Sequence, residues 1–168
     1  RATDRINVFC GAAQGFRAPN LSDLTRLDIA RTNEMETPSP NLDPEHYITV
    51  DAGVRVNSND TWEAEVTGYR TWINDQIIRY PTGVLIGELN EVQKNNDGDG
   101  WVHGVECRGA CNWDDHWQIF GGFAWLEGRL YQYPTAALDQ KRESLSRMLP
   151  ANGIAGVRWH DDANKWWF

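Results

Sequence analysis

The oxygen-bearing side chains between residues 95 and 106 have the spacing of a calcium-binding loop of the EF-hand type. Asn95, Asp97 and Asp99 stand at the first three ligand positions, Gly100 at the sixth position and Glu106 at the twelfth. A true EF-hand also needs a helix on each side, whereas the residues after Glu106 continue a strand pattern. We therefore interpret residues 95–100 as a solvated turn whose acidic residues are weak calcium candidates, and we expect no cofactor.

A second group with ligand chemistry is formed by His103, Cys107 and Cys111, which recur at every fourth residue. In a strand this spacing separates the two cysteines by about 13 Å, too far for a disulfide or for one tetrahedral zinc ion. Together with Cys10 they make an odd count, which argues against a disulfide framework. All three are expected to be small apolar side chains with free thiols.

Catalytic motifs are missing from the sequence. It contains no Gly-x-Ser-x-Gly, no His-Glu-x-x-His and no phosphate-binding loop, and its paired aspartates at 114–115 and 161–162 fall in short turns. Local hydrogen bonding accounts for carboxylates in turns better than acid–base chemistry does. The sequence therefore predicts that the protein is not an enzyme.

Composition limits the remaining classes of protein. The net charge of −8 and the pI near 4.9 disfavour nucleic acid as a partner. The mean hydropathy is −0.60 and no apolar run is long enough for a membrane helix, but alternating barrel strands give only a weak hydropathy signal. Nine tryptophans indicate either sugar-stacking surfaces or belts at a membrane interface.

The elements that would position these residues are strands with a period of two. Apolar and polar residues alternate along several segments, so that one face of each strand is apolar and the other is polar. The predicted strands are 5–14, 47–57, 61–72, 101–113, 117–127 and 151–159. In the second of them the apolar face holds Ile48, Val50, Ala52, Val54 and Val56, and the polar face holds Tyr47, Thr49, Asp51, Arg55 and Asn57.

The connections between the predicted strands alternate between long and short. Residues 16–46, 74–100 and 128–149 are long, and the second of these is expected to have a polar tip at 95–100. The short turns are flanked by tryptophans: Trp62 after one turn, Trp113 and Trp117 around the next, Trp159 and Trp166 around the last. Short turns on one side, long loops on the other and aromatic girdles at the rims are the layout of an outer-membrane β-barrel.

Two sequence boxes flank the first long connection. Residues 15–21 read Gly-Phe-Arg-Ala-Pro-Asn-Leu, and residues 39–45 read Ser-Pro-Asn-Leu-Asp-Pro-Glu. They resemble the FRAP box and the NPNL box, with its following Pro-Glu, of TonB-dependent outer-membrane receptors, although Ser39 stands where the pattern has Asn. Residues 71–75 and 104–106 resemble barrel strands of the same family. The matching box residues are Phe16, Arg17, Ala18, Pro19, Pro40, Asn41, Leu42, Pro44 and Glu45.

The resemblance implies an all-β fold, an antiparallel transmembrane β-barrel segment of about six or seven strands out of about 22. Residues 1–168 would be a single partial barrel domain cut within strands at both ends, and a plug domain and the other strands would lie outside them. It further implies the outer membrane of a Gram-negative-type bacterium, contact with outer-membrane lipid, and uptake of a scarce nutrient such as an iron–siderophore complex. TonB would supply the energy through the absent plug domain.

By the same resemblance, the first long connection is an extracellular loop in a position to bind ligand. Its charged residues suit a small-molecule metal chelate, and no histidine lies between residues 21 and 38 to serve as an axial haem ligand, which disfavours haem. His46 falls just beyond the second box. The boxes themselves are as compatible with shaping the loop as with touching ligand. The candidate ligand-binding residues are Arg17, Asp23, Arg26, Asp28, Arg31 and Glu34.

One alternative from another class fits the tryptophan content. A secreted Trp-rich β-sandwich could bind glycans by stacking sugars on indole rings. A sandwich would bury its apolar faces against a second sheet and would fill them with bulky residues, whereas the apolar faces here often hold Ala, Gly and Val. The two hypotheses therefore differ in whether the apolar face is covered.

Overall fold

The computed structural model describes residues 5–58 and 61–161. They form a nine-stranded sheet and, within these ranges, one short helix. The elements are β1 (Ile6–Arg17), α1 (Leu21–Thr25), β2 (Asp28–Arg31), β3 (Glu34–Glu36), β4 (Glu45–Ser58), β5 (Trp62–Ile86), β6 (Leu89–Asn112), β7 (Trp117–Gln132), β8 (Lys141–Ser144) and β9 (Asn152–Trp159). In the same ranges no helix is long and apolar enough to cross a bilayer.

Six of the strands form a continuous antiparallel wall in the order β1, β4, β5, β6, β7, β9. Each of these strands contains one of the alternating segments found in the sequence, so the predicted all-β antiparallel fold is confirmed. The turn at 161–164 with Trp166 lies largely outside the described residues. The remaining strands β2, β3 and β8 are short and belong to the long connections.

The two faces of this wall have opposite chemistry. Along one transverse row, Val8, Val54, Val66, Cys107 and Phe123 pair in register across five strands, and the valines and the phenylalanine are exposed, Val66 by 51%. No second layer covers this apolar face in the part of the chain that the structure describes. The two-layer sandwich is therefore not the fold, and the bare apolar face suits contact with lipid.

The tryptophans mark two rims on this outward face. Trp62 and Trp72 lie on the same face of β5, and ten residues of strand span about 33 Å, or about 25 Å once barrel tilt is included. Trp117 and Trp159 are cross-strand partners at the rim of the short turns, and Trp72 and Trp101 are partners at the rim of the long loops. This separation equals the height of an outer-membrane apolar band.

The second long connection differs from its prediction. Strands β5 and β6 run on past the upper rim as a hairpin whose tip is at residues 87 and 88, so residues 95–100 lie inside β6 and are not a polar tip. The weak calcium candidates Asn95, Asp97, Asp99 and Glu106 therefore all lie along one strand. A strand places Asp99 and Glu106 on opposite faces, and Asn95 instead donates to Asp97 (3.2 Å).

The other two long connections also contain ordered elements. Residues 18–44, here called the first loop, hold α1, β2 and β3, and β3 pairs in parallel with β6 (Glu34 opposite Asn90). Residues 133–151, the third loop, hold β8, which pairs with the upper end of β7. The apolar side chains that are buried lie at this upper end of the sheet: Ile73, Ile77, Ile78, Val92 and Leu130.

Candidate functional site

The inward face of the wall is polar and carries a charge ladder in its lower half. Arg55, Glu65 and Arg108 pair in register on β4, β5 and β6. Glu65 accepts hydrogen bonds from Arg55 Nε (2.5 Å) and Arg108 Nη2 (3.1 Å). Such a surface suits a water-filled lumen or a polar plug and does not suit lipid.

Glycines on this face make room for aromatic rings. A Cβ at Gly104 would lie 2.6 Å from the Tyr69 hydroxyl, and a Cβ at Gly53 would lie 2.4 Å from the ring of Phe9, its cross-strand partner. Each ring therefore occupies the space that a side chain at the facing glycine would fill.

The upper ends of β1 and β4 are joined by an ion-pair cluster, here called the strand-end latch and made of Arg17, Asp23, Glu45 and Tyr47. Arg17 is the last residue of β1 and pairs with Glu45, the first residue of β4. Arg17 donates to Glu45 through Nε (2.8 Å) and Nη2, and to Asp23 through Nη1 (2.9 Å). The first loop thus leaves and rejoins the wall at one charged pair.

Glu45 is the centre of the latch. It is only 1% exposed, and its carboxylate also accepts from the Tyr47 hydroxyl and from the Ile77 backbone N–H on β5 (2.9 Å). Every lone pair is therefore used, as a buried charge requires. Two box residues singled out in the sequence, Arg17 and Glu45, are brought together here, and both of them shape the loop.

The residues after the first box continue this ordered structure. Pro19 ends the ladder, and Asn20 caps α1 through a capping box in which Asn20 Oδ1 accepts from the Asp23 N–H (2.9 Å) and Asp23 Oδ2 accepts from the Asn20 N–H (3.1 Å). Asp23 therefore serves the helix cap and the latch together. Phe16 points outward and is exposed.

The second box also binds to its surroundings through its backbone and through Ser39. The Ser39 N–H donates to the Leu24 carbonyl (2.9 Å), and Ser39 Oγ accepts from the Lys94 N–H (2.8 Å). The position that departs from the family pattern is thus a buried joint between the first loop and β6. The other box residues, Ala18, Pro40, Asn41, Leu42 and Pro44, are exposed or half-buried.

The latch carboxylates have shifted pKa values. Burial alone would raise the pKa of Glu45, but the hydrogen bonds from Arg17, Tyr47 and the Ile77 N–H outweigh burial and lower it. The pKa of Asp23 is lowered in the same balance, with burial opposed by Arg17 and the Asn20 N–H. Both groups therefore bind a proton less readily in the folded protein than in the unfolded chain.

We expect the latch to open in acid. Because the folded-state pKa values are depressed, this stabilisation is complete above the unfolded values near pH 4 and is lost as pH falls through the lower folded values. Protease cleavage of residues 18–44 on intact cells should rise steeply in that window. A Glu45→Gln variant should be cleaved readily at neutral pH and show a weaker pH response; an unchanged profile in the variant would contradict the assignment.

A second ionic cluster, here called the loop hub, is centred on Arg79 of the long hairpin. Arg79 pairs with Glu34 of the first loop (2.5 Å) and donates to the carbonyls of Tyr133 (2.7 Å) and Thr135 (3.4 Å) in the third loop. The side chains of Arg79 and Glu34 are 11% and 7% exposed. One guanidinium therefore ties all three long connections together. Arg79 was not singled out in the sequence, because nothing local marks its partners.

Glu36, two residues after Glu34 on β3, lies between two other cations. It is buried and lies 3.7 Å from both Arg26 Nε and Lys94 Nζ. Its Oε1 and the Oε2 of Glu34 have no hydrogen bond among the described residues. The charge of each buried carboxylate is balanced by a cationic neighbour: Arg79 beside Glu34, and Arg26 and Lys94 beside Glu36.

The predicted ligand-binding residues fall into two groups. Arg17, Asp23 and Glu34 are used inside the latch and the hub. The exposed group comprises Arg26, which lies 3.8 Å from Asp28, and Arg31, whose Nη1 donates to the Pro134 carbonyl (3.2 Å). These three residues are exposed, although Arg26 also pairs with the buried Glu36.

The cysteines and histidines do not converge on a metal. The thiols of Cys10, Cys107 and Cys111 are free, as predicted, and lie on the outward face. His103 stacks on Trp101 with ring centroids 4.5 Å apart. Within residues 5–58 and 61–161, no group of three or more metal-binding side chains of the His, Cys, Asp and Glu types is assembled.

A single-layer antiparallel wall with a bare apolar face, a polar face and two tryptophan rims defines a segment of a transmembrane β-barrel. Residues 1–167 match the family described as TonB dependent receptor-like, beta-barrel, and the chain belongs to this family. This is a family of outer-membrane proteins of Gram-negative bacteria, whose members are transporters and not enzymes. The search of curated proteins found no match.

Solved structures share this fold. The copper transporter OprC superposes with a TM-score of 0.63 at 18% identity, over 94% of this chain and 22% of that one. The siderophore receptor PirA from Pseudomonas aeruginosa gives 0.60 at 18%, over 92% and 33%. A mutant of the ferric enterobactin receptor PfeA from Pseudomonas aeruginosa gives 0.65 at 16%, over 94% and 31%. The chain thus spans a third or less of these neighbours.

Proposed function

We propose that the protein carrying this chain takes up a small polar metal chelate, such as an iron–siderophore complex, across the outer membrane. Residues 1–168 would be one partial barrel domain, completed by further strands and by a plug through which TonB delivers energy. Family membership supports the transport of a scarce nutrient. Two of the structural neighbours named above are titled siderophore or ferric enterobactin receptors.

The observation that carries this proposal is a loop with exposed charges on a fixed base. Arg26, Asp28 and Arg31 are exposed, while the latch joins the two ends of the first loop and the hub holds its middle at Glu34. A guanidinium on a rigid support binds carboxylate, catecholate or hydroxamate oxygens with little loss of conformational entropy. An anionic ferric chelate matches these arginines.

Two other cargoes fit less well. Haem would need an axial ligand, and His46 is an exposed strand residue in register with Phe16 and Asn74, not a loop residue. Bare copper would need soft or imidazole ligands, and the cysteine thiols lie on the outward face. A chelate that carries its own metal ligands needs neither.

We expect ferric-siderophore binding by the full-length receptor to depend on Arg26 and Arg31. Replacing either with Gln removes a charge-assisted hydrogen bond and should weaken binding about tenfold or more. Binding to the purified receptor would be measured by fluorescence with a panel of ferric catecholates and hydroxamates, and uptake would be measured in cells lacking other receptors.

Arg158→Gln is the matched control, because Arg158 lies on β9 in the lower half of the wall and contacts Gln118 (3.2 Å). Its binding affinity should equal that of the wild type. Full affinity in an Arg26→Gln/Arg31→Gln double variant would exclude these residues as the ligand site. A wild-type receptor that takes up no ferric chelate in the presence of TonB would overturn the proposed cargo.

A further inference from the structure

The outward face carries a cationic and aromatic cluster at the upper rim, here called the rim cluster and made of Arg70, Trp72, Trp101, His103 and Arg142. Arg70 Cζ lies 5.3 Å from the ring centroid of Trp72 and 5.4 Å from that of Trp101. Arg142 Cζ of β8 lies 5.4 Å from the same Trp101 ring. Trp101 is therefore the platform on which two guanidinium groups from different elements converge.

The register places this cluster on the lipid side of the wall. Arg70 pairs with Val50 on one side and with His103 on the other, and Val50 belongs to the exposed apolar face. Trp72 pairs with Ile48 and Trp101 in the next row up. The charges thus lie at the girdle itself, where hydrocarbon gives way to headgroups.

The described residues do not neutralise the two arginines of the cluster. Arg129 on the same rim pairs with Glu127 (3.0 Å), and this carboxylate neutralises its charge. Arg70 and Arg142 have no carboxylate within ion-pair distance among the described residues. A cation on the outward face of a barrel destabilises it unless an anion or water compensates the charge.

We propose that the rim cluster binds a phosphorylated lipid headgroup of the outer leaflet. The rim of the long loops is the extracellular one in this family, so the facing lipid is the outer-leaflet lipid. Two guanidinium groups would hold a phosphate by charge-assisted hydrogen bonds, and the indoles would pack on the sugar or glycerol part of the headgroup. The surface is continuous with the apolar face that contacts lipid, which favours a lipid over a soluble anion.

This site also gives β8 a role. Tyr131 of β7 pairs with Arg142, so β8 brings Arg142 from the third loop down to the rim. A bound headgroup would therefore connect the third loop to the membrane surface, on the side of the wall opposite the solute path.

The test uses the full-length receptor in neutral detergent and measures binding by surface plasmon resonance. The probes are bis-phosphorylated lipid A in mixed micelles, the same lipid after dephosphorylation, and inorganic phosphate alone. We expect the phosphorylated lipid to bind and the other two not to bind. Arg70→Gln and Arg142→Gln should each weaken binding about fivefold, and the double variant about twenty-five-fold.

Arg158→Gln removes the same charge from the opposite face and should bind lipid like the wild type. The gel shift on boiling reports whether each variant has a folded barrel. Arg142→Gln provides a test even where Arg70→Gln disturbs assembly, because β8 lies outside the six-stranded wall. Equal binding of phosphorylated and dephosphorylated lipid, unchanged binding in Arg142→Gln, or competition by inorganic phosphate at the same concentration would each overturn the proposal.

Discussion

Replacing Glu45 by Gln should destabilise the upper end of the barrel by about 3 kcal/mol. The change removes the charge that Arg17 pairs with and turns one of the two acceptor oxygens into an amide NH2, so either the Tyr47 hydroxyl or the Ile77 N–H loses its acceptor. Breaking a buried ion pair costs about 3–5 kcal/mol, and the lower end applies because the Arg17 side chain is 42% exposed. The full-length receptor should lose its heat-modifiable form at a lower temperature, and residues 18–44 should become accessible to protease.

The matched control is Glu63→Gln, because Glu63 is an exposed acid on β5 with no ion pair among the described residues. It should leave the transition unchanged. The Arg17→Gln/Glu45→Gln double variant should lose less stability than the sum of the two single variants, since either single change already breaks the Arg17–Glu45 pair. Equal stability of Glu45→Gln and the wild type would mean that the latch does not hold the loop.

The second large effect is expected at Arg79, in the loop hub. Arg79→Met keeps much of the side chain's volume but leaves the buried Glu34 carboxylate without its cation, and it frees the Tyr133 and Thr135 carbonyls. We expect the free energy of local opening of β3 to fall by about 3–5 kcal/mol. Hydrogen exchange of the Thr37 N–H, which donates to the Val92 carbonyl (2.9 Å), reports this opening directly.

Two further variants separate this pairing from a general effect on folding. Glu34→Gln in the Arg79→Met background should restore much of the protection, because the unpaired charge is then gone. Arg31→Gln removes only an exposed hydrogen bond to the Pro134 carbonyl and should change protection by about 0.5 kcal/mol or less. Protection in Arg79→Met that matches the wild type would show that β3 is held by its ladder alone.

The strands of the wall could be predicted from the sequence because lipid and water demand opposite side chains on alternate residues. The alternation in 47–57 fixed which residues face outward, and β4 has that arrangement. The tryptophans located the turns for the same reason, since indoles collect at the interface. These signals are local, and they do not depend on which strand becomes the neighbour.

The long hairpin was not predictable from the same signals. Residues 95–100 have the Asn, Asp and Gly composition of a turn, yet they pair with β5. Gly98 and Gly100 are there for another reason: a Cβ at Gly98 would lie 2.7 Å from the Gln76 carbonyl oxygen, and one at Gly100 would lie 2.3 Å from the Arg129 carbonyl oxygen. Close approach between two strands requires glycine, just as a turn does. Composition therefore does not distinguish a glycine in a turn from a glycine at a close approach.

For the candidate site, only part of the strand-end latch and the loop hub could be predicted from the sequence. The boxes identified two of the four latch residues, Arg17 and Glu45, because they end the strands on either side of one loop. The partner of Glu34 was out of reach, since the loop hub joins segments far apart in sequence and depends on how the loops fold back. From the sequence alone, a charged loop residue that faces a solute cannot be distinguished from one that faces a buried partner.

The parallel pairing of β3 with β6 constrains how these loops can evolve. Since Glu34–Glu36 run beside residues 90–92 in fixed register, a single-residue insertion in either segment would reverse the side-chain orientation of the other contacts. We therefore expect an exchange of either segment to require the other. A chimaera that transplants residues 28–36 without the hairpin tip would break the register, so exchange of specificity between relatives has to move both pieces at once.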